Sequence, residues 1–395
     1  MHTQRIAVFG GSFDPIHIEH IRLAKDAVRS LRLDRLIVMP AGIPPHKRDK
    51  VLSDESERLE MCRQAFVDEE KIVVSDYEIS KGGTSYTYLT CRHFKEKYPT
   101  AQLFWLVGTD MLRDFPTWKN PSQILEDVTL AVCARNEEKD WLEREQEKFY
   151  AQFKKQFAVI DYQGQDVSST KIRTLIASGE DVSSLVGEQV AAYIQGKGNE
   201  CGTGLYQIPN AIQALSLQKP SRCAHSIRVA LLAAERAKGL KIPETQAIAA
   251  ALFHDCAKNL TQDSGYLQNF SCEADVPASV IHQFAGAYVA ENFLSVKDED
   301  ILNAIRYHTS GRPKMSELEK LIFLSDMLEE ERSYDGVELL RQLFWKGDNL
   351  NECLLEALSQ TLEFLRASGK PIYALTQQAY EYYKNEEENY GRNQQ

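Results

Sequence analysis

Six short runs of aliphatic and β-branched residues, IAVF, LIVM, IVVS, LFWLV, VTLAV and AVI, fall between residues 5 and 160, and none follows. Segments of helical period separate them. Strands that alternate with helices pair in parallel, because each parallel connection needs a crossover and the crossover covers the sheet. The first part of the chain is therefore expected to be an α/β domain on a parallel sheet, with its chemistry in the loops at the strands' carboxyl ends. Beyond residue 165, AIQALSLQ, the run from His225 to Ala237, ETQAIAAALFHDCAKNL, SVIHQFAGAYVAENFL, DILNAIRYH and LEKLIFLSDMLEE all carry helical period. The second part is expected to be all-α. Between them GKGNECGTG, residues 196–204, has four glycines and no apolar period, which predicts a linker or turn. The expected domains are 1–206 and 207–395.

A chain of 395 residues has room for two cores, and 43% hydrophobic residues is ordinary for them. The net charge of -11 repels a phosphate backbone, so no nucleic-acid partner is expected, whereas small anions held by local groups are compatible with it. Eight cysteines occur without a CxxC pair, and the N-terminus runs straight into a strand without a targeting segment. A cytoplasmic location with reduced thiols is expected. The most apolar helical stretch, AIAAALF, is too short to span a bilayer, so no membrane role is expected. Self-association into a homo-oligomer is left open, and the polar tail NEEENYGRNQQ is expected to be mobile.

Seven of the nine histidines form two constellations. The first lies in GGSFDPIHIEH, residues 10–20, between the first strand and a helical run. Gly10 and Gly11 permit a tight turn and close approach to a ligand, and the helix start offers unpaired amides to phosphate. His17 and His20, three apart, share a helix face and can both meet one phosphate. His46 and Lys47 sit on a proline-stiffened loop, PAGIPPHKR, after the second strand. Ser168, Ser169 and Thr170 can cap the helix that carries Arg173 one turn on. Trp118, in FPTWKN, can stack on a flat ring or pack in a core. Asp110 can bond a ribose hydroxyl or hold a magnesium-linked water.

These residues resemble the nucleotidyltransferase superfamily, a Rossmann-like fold whose first loop ends in HxGH. PAGIPPHKR, GGTSYTYLT, GTDM, FPTWKN and VSSTKIR narrow the resemblance to bacterial nicotinate-nucleotide adenylyltransferases across residues 1–206. The resemblance implies that ATP and nicotinate mononucleotide give deamido-NAD and pyrophosphate, with magnesium accompanying ATP. It assigns His17, His20, Lys47 and Arg173 to catalysis and Ser168, Ser169 and Thr170 to the ATP phosphates. It also places Gly10, Gly11, Ser12, Phe13, His46, Thr87, Gly108 and Asp110 around the nucleotide, and Trp118 over the nicotinate ring. One departure is Glu19, where the family has glycine. Helical geometry turns position 19 about a hundred degrees from position 20, so its carboxylate is expected to face solvent as a tolerated substitution.

The second constellation is His225, the pair His254-Asp255, and Asp326, each on or beside a separate helical segment. In a bundle such side chains can converge, and imidazole with carboxylate suits iron, manganese, zinc or similar ions. The H…HD…D order resembles the HD-domain phosphohydrolases. His282 and His308 would extend the site toward a second metal, giving one or two divalent or iron ions. Lys258, Arg222 and Arg312 can meet phosphate or be solvated, and Cys256 is read as packing. RCAHS, LFHDCAK, HQFAGA and YHTSGRPKMSELEKLIFLSD are similar to bacterial symmetrical diadenosine-tetraphosphate hydrolases over residues 207–385. That implies hydrolysis of diadenosine tetraphosphate, or a related nucleotide, to two ADP. His2 and His93 are left on the surface. Two other readings compete: a helical domain that senses metal or nucleotide without hydrolysis, and a different nucleotidyltransferase joined to a nucleotidase.

Overall fold

The RIAVFGG segment is apolar on both sides because it becomes a central strand. The computed structural model describes residues 3–42, 52–134, 139–162, 164–165, 167–201 and 206–392. Its strands are β1 (Arg5–Gly11), β2 (Arg35–Pro40), β3 (Ile72–Val74), β4 (Gln102–Gly108), β5 (Thr129–Ala134) and β6 (Ala158–Asp161). They form one parallel sheet in the order β3-β2-β1-β4-β5-β6. Ile6 and Val8 are buried on one face and Ala7 and Phe9 on the other, as in a sheet covered by helices on both sides. All six runs read from the sequence are strands.

The strand order locates the site. After β1 the chain moves outward to β2 and β3, then returns to place β4 on the other flank of β1. Loops leaving the carboxyl ends of β1 and β4 diverge there, and ligands of such sheets bind in the crevice between them. Residues 10–20 and 108–110 lie at those two ends.

The helices of this region are α1 (Ile18–Ser30), α2 (Glu55–Ala65), α3 (Tyr77–Lys81), α4 (Thr87–Lys97), α5 (Thr109–Asp114), α6 (Pro121–Asp127), α7 (Lys139–Phe153), α8 (Ser169–Ala177), α9 (Ser183–Val186) and α10 (Glu188–Cys201). Then come α11 (Ala211–Ser216), α12 (Pro220–Leu240), α13 (Glu244–Phe253), α14 (Ile281–Phe293), α15 (Glu299–Tyr307), α16 (Glu317–Leu328), α17 (Val337–Phe344), α18 (Asn351–Ala367) and α19 (Ala374–Arg392). Two compact units result: Met1–Ile172 with Val182–Leu205, and Arg173–Asp181 with Tyr206–Gln395.

In the second unit α12 packs on α13, and both helices bury small residues, Ala230, Ala233 and Ala237 on the one and Ala247, Ala250 and Ala251 on the other. Such residues let backbones approach closely and leave little slack. α14 also approaches closely: a Cβ at Gly286 would lie 3.1 Å from the His254 carbonyl oxygen. α16 starts with a capping box in which Ser316 and Glu319 satisfy each other's backbone amides.

Two expectations are corrected. The segment read as a linker continues α10 to Cys201, because Val190, Ala191 and Ile194 are buried and the glycines cost only about 1 kcal/mol each in a helix. Residues 202–205 lie outside the described residues. The tail read as mobile, residues 385–395, is helical as far as Arg392, the end of α19, which packs through buried Thr376, Ala379 and Tyr383 just before it; residues 393–395 lie outside the described residues. Tyr383 accepts a 2.7 Å hydrogen bond from the Met315 amide.

Candidate functional site

In the first unit His17 is the N-cap of α1, in extended conformation, and His20 lies within its first turn. Their rings stack at 3.7 Å between centroids. His17 is 5% exposed with Nδ1 buried and without a hydrogen-bond partner, and burial pushes its imidazole down to about 4, opposed by Glu19. A neutral His17 imidazole pre-placed at a helix start can donate one ring N–H to phosphate. Phe13 packs edge-on against His20 at 5.1 Å and is itself buried, so its ring supports the histidine. A Cβ at Gly11 would come within 2.9 Å of that ring, so something there would have to shift, and one at Gly10 would lie a tight 3.1 Å from Trp105.

The expectation for Glu19 is overturned. It is 5% exposed, accepts from the Tyr162 hydroxyl, and accepts a 2.7 Å hydrogen bond from the Gln165 amide. Helical phase alone missed this, because the segment after β6 covers that face of α1.

Around the pair, Ser168 caps α8 by accepting from the Lys171 amide at 3.2 Å, and Ser169 donates to the Pro15 carbonyl at 3.1 Å. Thr170 is buried. Ser12 lends its carbonyl to Arg58, a fully buried arginine that also donates to Ala41, both at 2.8 Å. Arg58 thereby ties the loop after β1 to the loop after β2. Nothing in SERLEMCRQA announced it. Asp110 folds back over Gly108, Oδ1 lying 2.6 Å from where a Cβ would stand. Thr87 opens α4, and Trp118 is half-buried against Phe115. His46 and Lys47 lie outside the described residues. Arg173 falls in the second unit, where Glu244 holds its guanidinium, with Nε and one terminal nitrogen at 2.7 and 2.6 Å.

In the second unit α12 supplies His225, the turn after α13 supplies His254 and Asp255, and α16 supplies Asp326. His225 Nε2 lies 2.8 Å from Asp326 Oδ1. Two groups of ligand atoms are close enough to share an ion: His225, His254 and Asp326, and His254, Asp255 and His308. Nδ1 of His254 lies 2.6 Å from the Ala251 carbonyl, and Nδ1 of His308 lies 2.7 Å from that of Ile305. A carbonyl only accepts, so each Nδ1 carries a proton, and in the neutral imidazole each Nε2 then presents a lone pair. Nδ1 of His225 is held by Glu329 at 3.1 Å. Burial would raise the Glu329 carboxyl, but hydrogen bonds from Arg228 at 2.6 Å, the Glu331 amide and His225 together hold it below its ordinary value.

A cation fits this donor set. Nε2 of His254 and Oδ1 of Asp255 are buried without a hydrogen bond, an arrangement costing about 1–3 kcal/mol per group unless something positive is bound there. Burial opposes ionisation of Asp255, yet His254 and His308 keep it well below the usual carboxylate range. His282 falls in neither group, although its Nε2 is 3.1 Å from that of His308 and 3.5 Å from Asp255. Burial first, then His308 and Lys258, push His282 down to about 2.

The three basic candidates divide. Lys258 Nζ stands 2.7 Å from His282 Nε2, inside the site. Arg222 pairs with Asp255 at 3.0 Å. Arg312 pairs with Glu319 through two bonds of 2.7 Å. Cys256 is fully buried and faces the Gly286 carbonyl, a packing role. His93 stacks on Tyr77, and His2 lies outside the described residues.

Comparison with known proteins agrees with this division. Residues 8–175 match the cytidylyltransferase-like family and residues 222–331 the HD domain. A Clostridium tetani protein named "Probable nicotinate-nucleotide adenylyltransferase" is 39% identical over 46% of this chain and 92% of its own length. A Mycoplasma genitalium protein named "Probable nicotinate-nucleotide adenylyltransferase/Ap4A hydrolase" is 30% identical over 90% of this chain and 97% of its own. The crystal structure of a predicted HD superfamily hydrolase involved in NAD metabolism, from Clostridium acetobutylicum, is 28% identical at a TM-score of 0.40, covering 44% of this chain and 96% of that one. The chain belongs to the nicotinate-nucleotide adenylyltransferase/Ap4A hydrolase family, in which a cytidylyltransferase-like domain precedes an HD domain.

Proposed function

We propose that residues 1–206 transfer the adenylyl group of ATP to nicotinate mononucleotide, and that residues 207–395 split diadenosine tetraphosphate symmetrically into two ADP. The observation that carries this reading is the likeness, along 90% of the chain, to a relative named for both activities. In the first reaction the mononucleotide phosphate attacks the α-phosphorus of ATP in line and pyrophosphate leaves. No protein nucleophile is needed, so the protein's work is alignment and charge stabilisation. His17 and His20 meet the triphosphate, Ser168 to Thr170 present the start of α8, and Lys47 adds cationic charge; Arg173 would add its own only on leaving Glu244. Trp118 covers the nicotinate ring, and magnesium bound with ATP shares the triphosphate charge.

In the second reaction His225, His254, Asp255 and Asp326 would hold one divalent or iron ion. His308 and His282 would serve a second. Bound there, such ions acidify water and share anhydride charge. The protein's own residues orient that site: Ala251, Ile305 and Glu329 fix the imidazole tautomers, Arg222 steadies Asp255, and Lys258 offers a cation to the substrate phosphates. We place the protein in the cytoplasm; seven of its cysteines are free thiols, and no described helix is long and apolar enough to cross a membrane.

Pyrophosphate release from ATP and nicotinate mononucleotide tests the first activity, and its absence removes that assignment. Chromatography of products from diadenosine tetraphosphate with metal-loaded protein tests the second; AMP plus ATP in place of two ADP rejects symmetrical cleavage.

A further inference from the structure

We infer that Glu19 is a positioning residue of the adenylyl-transfer site, its buried carboxylate fixing the segment that leads into α8 against the histidine loop. The inference rests on the adenylyltransferase reading of the first unit. A carboxylate placed between His17 and His20 and removed from water is costly unless specific donors satisfy it. The cation nearest at hand is a weak answer: Arg22 is 3.4 Å away on a side chain that is 43% exposed. The donors that answer it come from a distant part of the sequence. The Tyr162 hydroxyl and the Gln165 amide both donate to Oε2, the latter at 2.7 Å.

Tyr162 directly follows β6, and Gln165 precedes the cap of α8. The far end of the same stretch is tied a second time, Ser169 donating to the Pro15 carbonyl at 3.1 Å. The segment 162–169 is thus fastened at both ends to residues 15–19. These two fastenings set the separation between the start of α1, with its histidine pair, and the start of α8, with its serines. In-line transfer depends on that separation, because the triphosphate must meet both at once. Charged-group hydrogen bonds of this kind stabilise more than neutral ones, and Glu19 also lies in the first turn of α1, where the helix dipole favours a carboxylate. Glu19 therefore acts through Tyr162 and Gln165 and touches no substrate.

The test compares Glu19→Gly, Glu19→Gln and Tyr162→Phe in the full-length chain. A merely tolerated glutamate predicts that glycine, the residue usual in the family, leaves ATP use unchanged or improved. Positioning predicts that Glu19→Gly raises KM for ATP roughly tenfold or more, from loss of charged hydrogen bonds, while KM for nicotinate mononucleotide moves less than about twofold. Glu19→Gln, which keeps an acceptor oxygen, restores most of the loss, and Tyr162→Phe falls between. Equal rises in both KM values, or none, overturn the inference. Hydrogen exchange of peptides covering 162–169 decides independently of turnover: faster exchange in Glu19→Gly, or in Tyr162→Phe should the glycine variant not fold, supports it, and unchanged exchange rejects it. A wild-type chain that releases no pyrophosphate removes the adenylyltransferase reading, while the exchange result still judges Glu19.

Discussion

Burial holds the His17 imidazole near 4, below its ordinary 6.5, against the pull of Glu19. Between those two values the unfolded chain binds a proton that the folded chain does not. The stability from keeping His17 neutral, about 3 kcal/mol, is complete above pH 6.5 and is lost as pH falls toward 4. Urea unfolding at pH 7 and pH 4.5 should show a larger loss for wild type than for His17→Gln; equal losses would contradict the assignment. Glu329 gives a second residue-scale expectation. Removing it in Glu329→Ala leaves His225 Nδ1 without its acceptor, and metal affinity by competition with a chelator should fall about 10- to 100-fold. An unchanged affinity would show that His225 needs no such support. His17, His225, His254, Asp255, His308 and Asp326 were legible because each belongs to a short motif whose chemistry is local. Glu19 with Tyr162, Arg58 with Ser12 and Ala41, and Glu329 with His225 were not, since each pairing joins residues far apart in sequence.

At the scale of elements, the strands were readable because a sheet covered on both faces demands continuous apolar runs. The ends of helices were less so. α19 hides its anchoring stripe, Thr376, Ala379 and Tyr383, inside a polar composition, and α10 is carried through its glycines by burial further back. Gly286 shows what close helix approach requires. Alanine there would gain roughly 1 kcal/mol in helix propensity but meet the His254 carbonyl at 3.1 Å, and a larger side chain has no such compensation. Gly286→Val should destabilise the second unit by about 2 kcal/mol, read as a lowered Tm with the metal-binding turn disturbed. A Tm within error of wild type would mean that α14 can shift outward freely.

For the whole molecule, the two histidine constellations belong to different compact units, so their activities should separate by mutation. His254→Ala is expected to abolish hydrolysis and leave pyrophosphate release within about twofold, and His17→Ala the reverse; loss of both from either change would reveal coupling. The boundary inferred from composition fell at 206, and contacts divide the chain at 205, but composition could not register that residues 173–181 cluster with the later unit. Those residues begin in the middle of α8, where no change of pattern marks them. Each unit is therefore discontinuous in the gene. No single breakpoint, whether made by a protease, an engineer or recombination, releases either unit with all of its own residues and none of the other's, so this fusion is harder to undo than its linear order suggests.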